Sequence, residues 1–234
     1  MNIKKAILLV CALALVCAVS VAGTFAFLKE ESNTVNNTFV AEGGGKIIDD
    51  DPSTPGTEGT FEIIEKTVAQ NEDGTYSELD STTTSGNSYD VLPGLELPKT
   101  AYIDITGKTT VPAYLYLEVI SSLTDGVYTY AIDSNNWAPV KDKGEQVTGA
   151  NGGLLYVYVE SGSPAILAAS DADKYTDSYS NIGILDGDKV TIADDVDEST
   201  LASITGDSLS FNAYLAQASA GNNALEAYDA CFGN

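Results

Sequence analysis

Histidine and arginine are both missing from this chain of 234 residues, so each of its 11 cations is a lysine. Without imidazole there is no ordinary general base near neutral pH and no nitrogen ligand for a metal, and without guanidinium there is no planar fork for phosphate or carboxylate. Cysteine is scarce as well, with Cys11 and Cys17 in the first stretch of the chain and only Cys231 beyond it. Once that stretch is removed, an intramolecular disulfide is excluded and the fold must rest on its apolar core. Cations are few against 34 acidic residues, and the net charge is −23. A field of that sign repels phosphate backbones and anionic lipid surfaces, which excludes nucleic acid as a partner and opposes self-association until salt, divalent cations or acid weaken it.

What is present begins with Lys4 and Lys5, an uncharged run of 23 residues from Ala6 to Leu28, and then Lys29 and Glu30. A positive start followed by an apolar segment marks a signal peptide, read here as residues 1–26. The run is long enough, by the rule of about 20 residues, to remain as an uncleaved anchor. The small residues Ala22, Gly23, Thr24 and Ala26 point instead to a peptidase site, with the cut after Ala26 and Phe27 as the new N-terminus. The product is then secreted, and touches the membrane only through its leader before cleavage.

Residues 27–40 end in Val35-Asn36-Asn37-Thr38-Phe39-Val40, a short strand pattern. Residues 41–60 hold five glycines, two prolines and five acids, the composition of a solvated linker. From 61 to 234 the pattern changes to runs of β-branched and aromatic residues at Phe61–Val68, Ala101–Ile105, Ala113–Ile120, Val127–Ile132, Leu154–Glu160, Lys189–Ala193 and Leu209–Gln217. Leu115, Leu117 and Val119 alternate with Tyr114, Tyr116 and Glu118, and Tyr156 and Tyr158 alternate with Leu155, Val157 and Val159. Strands separated by Gly, Asn, Asp and Ser turns, without a βαβ rhythm, predict a mainly β protein with an antiparallel sandwich or jelly roll. One helix is expected, over Ala224–Phe232, capped by Asn222 or Asn223, with Leu225, Tyr228 and Phe232 on one face.

Several blocks carry a family resemblance. The stretch AGTFAFLKEESNTVNNTFVAE (22–42) joins a Gly-Thr-aromatic-Ala cleavage site to a polar spacer and Asn-Thr-Phe. VLPGLELPKTAYIDITGKTTVPAYLYLEV (91–119), ILDGDKVTI (184–192) and LSFNAYLAQASAGNNALEAYDACFG (209–233) follow in order. Together they resemble exported proteins of Gram-positive bacteria that depend on a SipW-type signal peptidase, the TasA and camelysin-like family. The resemblance implies a TasA-like jelly roll, processing by a SipW-type peptidase, and a place in the biofilm matrix or on the cell surface, in some members as fibres.

Camelysin-like proteins have been classed as metallopeptidases, and the residues here speak against that chemistry. A catalytic zinc site normally takes histidine with carboxylate, and serine-triad or Cys–His catalysis lacks the same base. The chain is therefore read as no enzyme, without a cofactor. The acidic clusters Asp49-Asp50-Asp51, Asp171–Asp177 and Asp186–Asp188 read as solvated loops, with non-EF-hand calcium binding as the open alternative. Cys231 reads as a half-buried hydrophobe, or as a site of intermolecular crosslinking. Tyr114, Tyr116, Tyr156 and Tyr158 read as cross-strand packing, or as a binding face. Leu97-Pro98-Lys99-Thr100 resembles a sortase signal but runs into Ala101 in mid-chain, so it reads as a strand entry with Pro98 at an edge.

The function expected is a structural protein in which residues 27–40 act as a donor strand for a neighbouring copy, with Val35, Thr38, Phe39 and Val40 as the pairing residues and Phe39 and Val40 as anchors. Its partner is itself, head to tail. A monomeric secreted binding module is the alternative, and a camelysin-like metalloendopeptidase a third.

Overall fold

Alternating apolar residues build long strands where both neighbours are also strands, and short ones where the partner changes. The computed structural model describes residues 29–31, 48–49, 60–106, 108–109, 111–167 and 179–233. The signal peptide, the cleavage residues Thr24, Ala26 and Phe27, the donor residues Val35, Thr38, Phe39 and Val40, and the cluster Asp171–Asp177 all lie outside the described residues.

In chain order the strands begin with β1 (Lys29–Glu31), β2 (Ile48–Asp49), β3 (Phe61–Gln70), β4 (Tyr76–Thr83), β5 (Glu96–Pro98) and β6 (Ala101–Ile105). Next come β7 (Lys108–Thr109), β8 (Ala113–Ser121), β9 (Tyr128–Thr129), β10 (Trp137–Pro139), β11 (Lys141–Asp142) and β12 (Glu145–Gln146). The last six are β13 (Leu154–Glu160), β14 (Ser163–Pro164), β15 (Ile166–Leu167), β16 (Ile182–Gly183), β17 (Lys189–Ile192) and β18 (Leu209–Gln217). Among the described residues two helices accompany them, α1 (Glu198–Ser203) before β18 and α2 (Ala224–Phe232) after it.

The strands pair antiparallel throughout. One sheet runs β1-β18-β8-β13-β10, with β14 and β15 attached to β13 and β8, a second runs β16-β6-β3-β4, and a third runs β5-β17-β9. Inward residues of these sheets share a single core: Phe61 and Ile63 of β3, Ile103 and Ile105 of β6, Leu115, Leu117 and Val119 of β8, and Phe211, Ala213 and Leu215 of β18. The protein is mainly β, with antiparallel sheets and a short C-terminal helix.

β8 is buried on both faces, which its sequence alone conceals. Leu115 and Leu117 enter the shared core, whereas Tyr116 belongs to a second cluster with Leu155, Val157, Tyr214 and Tyr228 beneath α2. Register then splits the tyrosines. Tyr156 lies opposite Leu117, and Val157 opposite Tyr116, so Tyr156 and Tyr158 turn toward the core while Tyr114 and Tyr116 turn toward the helix. The four do not form one stripe.

α2 starts where Asn223 accepts a hydrogen bond from the Glu226 amide at 3.0 Å, while the Glu226 carboxylate accepts from the Asn222 amide at 3.0 Å. This reciprocal cap satisfies amides that the first helical turn leaves unpaired. Tyr228 packs against the rings of Tyr116 and Tyr214 with centroids 5.1 and 5.8 Å apart. Cys231 is half-buried at the edge of this cluster.

Four expectations shift. The run Val127–Ile132 keeps only β9, because Tyr128 and Thr129 pair with β17 while Ile132 bridges to Leu185. β4 was not expected, since its sequence YSELDSTT has no apolar face and its residues are largely exposed at a sheet edge. α1 was not expected either. It is held by Asp197, whose carboxylate accepts from the Thr200 amide at 2.8 Å. Ile48 and Asp49, inside the stretch read as a linker, pair with Thr109 and Lys108.

Candidate functional site

Three places in this fold combine unusual chemistry with a defined position. The first is an edge. All nine residues of β18 pair with β8 on one side. On the other side β1 pairs with only three of them, with Lys29 opposite Ala216, Glu30 opposite Leu215 and Glu31 opposite Tyr214. Among the described residues, no other strand pairs with that outer side. A sheet edge held by so short a strand is a template for strand addition.

Behind that edge, β18 is tied to β8 at the second place, a buried carboxylate. Glu118 is fully buried in mid-strand. Its carboxylate accepts from the amides of Asn151 and Gly153 at 2.8 and 2.9 Å, from the side-chain nitrogens of Asn151 and Asn212 at 3.1 Å each, and from the Tyr214 hydroxyl at 2.5 Å. Burial alone raises a carboxyl, yet the bonds from Tyr214, Asn212, Gly153 and Asn151 outweigh it and hold Glu118 below its ordinary 4.5. Burial, with the Glu118 charge beside it, pushes the Tyr214 phenol up. The Asn212 Oδ1 is the one buried side-chain polar atom without a partner among the described residues.

Gly149 and Gly153 let the loop reach this carboxylate. A Cβ on Gly153 would lie 2.5 Å from the Val119 carbonyl oxygen, and one on Gly149 2.7 Å from the Glu118 Cδ. The group is closed to ligands and acts as a staple between β8, β18 and the loop of residues 149–153.

The third place is a cavity of about 410 Å3 lined by Glu65, Asn87, Lys99, Tyr128, Leu201 and Leu209 among others. β3 alternates so that Phe61, Ile63 and Glu65 all point inward, which sets a carboxylate at the end of the apolar core. The Lys99 Nζ donates to Glu65 Oε2 at 3.0 Å and stands 5.6 Å from the Phe211 ring centre. The two side chains are 11% and 3% exposed, unlike the solvent-facing pair Lys66–Glu78 at 44% and 29%. Asn87 closes the group. Its Nδ2 donates to Glu65 Oε1 at 2.7 Å and to the Lys66 carbonyl at 2.8 Å, and its Oδ1 accepts from the Val68 amide at 3.2 Å. These last two bonds fill the gap where a bulge between Lys66 and Val68 interrupts pairing of β3 with β4.

Pro98 stands in β5, an edge strand opposite Lys189, and Leu97 is buried. Asp186–Asp188 form a 3-10 turn. Among the described residues no group of three or more carboxylates or thiols gathers as a metal would require, and no helix is long and apolar enough to cross a membrane. Glu118, Glu65 and Asn87 were not singled out by sequence reasoning. The available signal was a lone acid at an inward position of β3 and another on the tyrosine-bearing face of β8; Asn87 carried none.

Comparison with family models, curated proteins and solved structures finds no match to this chain.

Proposed function

We propose that this is a secreted structural protein of the extracellular matrix or cell surface, with a jelly-roll domain that assembles into fibres by exchange of its N-terminal strand. The observation that carries the reading is the pairing of β1, a strand of only three residues near the N-terminus, with the outer side of β18. The same backbone bonds are available to the equivalent segment of another copy, so exchange replaces like with like and its cost is mainly one of tethering. With β2 held to β7, the tether between β1 and β2 is residues 32–47, which span at most about 53 Å when extended, against a domain radius of gyration of about 16 Å. A strand leaving its own sheet therefore reaches a neighbour's. The contact is heterologous, and repeating it produces an open filament.

Signal removal licenses the step in this reading, because a strand tied to the membrane cannot enter another subunit. The resemblance to TasA and camelysin-like exported proteins points the same way, as does the absence of histidine, which leaves no imidazole for a zinc site or for a serine or cysteine triad. The test removes Phe27–Val40 from the protein that starts at Phe27. Loss of filaments in electron microscopy, with a folded soluble domain by circular dichroism, is expected, and normal polymerisation of the shortened protein sinks the idea. Assembly is also expected to accelerate as pH falls or calcium rises, since both weaken the repulsion between acidic copies.

A second reading, a monomeric surface module, draws on the cavity beside Lys99, whose size suits a small ligand. Persistent monomers in size-exclusion chromatography of the protein starting at Phe27 favour it over the filament.

A further inference from the structure

We infer that Lys99 and Asn87 are partners in an intramolecular isopeptide bond, formed with Glu65 as the proton carrier. The inference stands independently of the filament reading, on two groups gathered on one buried carboxylate.

Glu65 is 2% exposed at the end of the core. Its two oxygens are divided between the would-be reactants: Oε2 accepts from the Lys99 Nζ at 3.0 Å, and Oε1 accepts from the Asn87 Nδ2 at 2.7 Å. The nucleophile and the leaving nitrogen are thus held side by side on opposite oxygens of one acid–base group. Lys99 donates to no other acceptor among the described residues, and its stem is confined beside the Phe211 ring. Neighbouring lysines lack this setting. Lys66 and Lys189 pair with Glu78 and Glu96 at the surface, with side chains 44% exposed.

Asn87 is fixed by more than Glu65. Its Oδ1 receives the Val68 amide at 3.2 Å, and the second Nδ2 proton goes to the Lys66 carbonyl at 2.8 Å. Filling the bulge accounts for these two bonds and leaves the third, to Glu65, unexplained. The Val68 amide polarises the Asn87 carbonyl and is placed to stabilise the oxyanion that forms when Cγ becomes tetrahedral.

The step balances without an outside reagent. Lys99 passes one ammonium proton to Glu65 Oε2, and the freed amine attacks the Asn87 Cγ. The Nζ–Cγ bond forms and the Cγ–Nδ2 bond breaks as Glu65 returns a proton to the departing nitrogen. A second Nζ proton moves to Glu65, the new amide keeps one N–H, and ammonia leaves through the cavity that these three residues line. No electrons are gained or lost. The product ties the loop after β4 to the entry of β6, bracing the edge strand that has no apolar face to hold it.

Intact-mass and peptide mapping of the folded full chain test this directly. Trypsin normally cuts after Lys66, Lys99 and Lys108, and no other lysine or arginine lies between Thr67 and Lys108. With the bond in place Lys99 is blocked, so denatured digests contain a single Thr67–Lys108 species lighter than its sequence mass by one ammonia, about 17 Da. Glu65→Gln, Asn87→Ala and Lys99→Arg each restore the full mass. Recovery of unmodified Thr67–Lys99 as the sole species from folded wild-type protein overturns the proposal. A deficit that survives in Glu65→Gln overturns the role assigned to the carboxylate.

Discussion

Two carboxylates are buried among the described residues at mid-strand positions, and they are opposites in use. Glu118 is surrounded by five neutral donors and no cation, from residues in β18 and the loop of residues 149–153. Glu65 meets one cation and one carboxamide, and faces a cavity. The difference teaches that burial alone does not announce chemistry. A carboxylate whose lone pairs are all occupied by well-placed donors is a structural anchor, whereas one that bridges a nucleophile and an electrophile beside open space is poised to move protons.

The comparison breaks most visibly at Glu118. Glu118→Ala strands the donors of buried Gly153, Asn212 and Tyr214 at once, besides two from Asn151, and is expected to cost about 3–5 kcal/mol in chemical denaturation. A loss below about 1 kcal/mol would mean that the anchor is not one. Gly153→Ala comes next, because a Cβ 2.5 Å from the Val119 carbonyl must push the loop off the carboxylate. The expected loss is about 2 kcal/mol by the same measurement, with the Gly153 amide losing its protection from hydrogen exchange.

Acid sharpens the contrast with the smallest effect. Glu118 lies below its unfolded value of 4.5 in the folded protein, so its contribution is complete above that value and is lost as pH falls through the folded value. Wild-type stability is therefore expected to drop more steeply than that of Glu118→Gln as pH falls below 4.5. Parallel curves would remove the carboxylate from the account of acid sensitivity.

Much of the strand pattern was legible because period-two alternation reports a half-buried strand directly. Ala101–Ile105, Leu154–Glu160, Leu209–Gln217 and the helix Ala224–Phe232 emerge with the expected bounds. β4 stayed hidden because an exposed edge strand needs no apolar face, and Val127–Ile132 was overread because one run serves two partners. The site residues were hidden for a different reason. Glu118 meets Asn151, Asn212 and Tyr214 from 33, 94 and 96 positions away, and Glu65 meets Lys99 from 34.

By itself the amino-acid order determined which segments extend, where the last helix starts, and that the chain is strongly acidic and without histidine. Those properties depend on neighbours a few positions apart and on composition. Which face of each strand meets the core, why the tyrosines part company between Tyr116 and Tyr156, and which acid sits beside which lysine were decided only when the sheets paired. Register and sheet packing bring distant residues into contact, and no local pattern encodes the contacts they create.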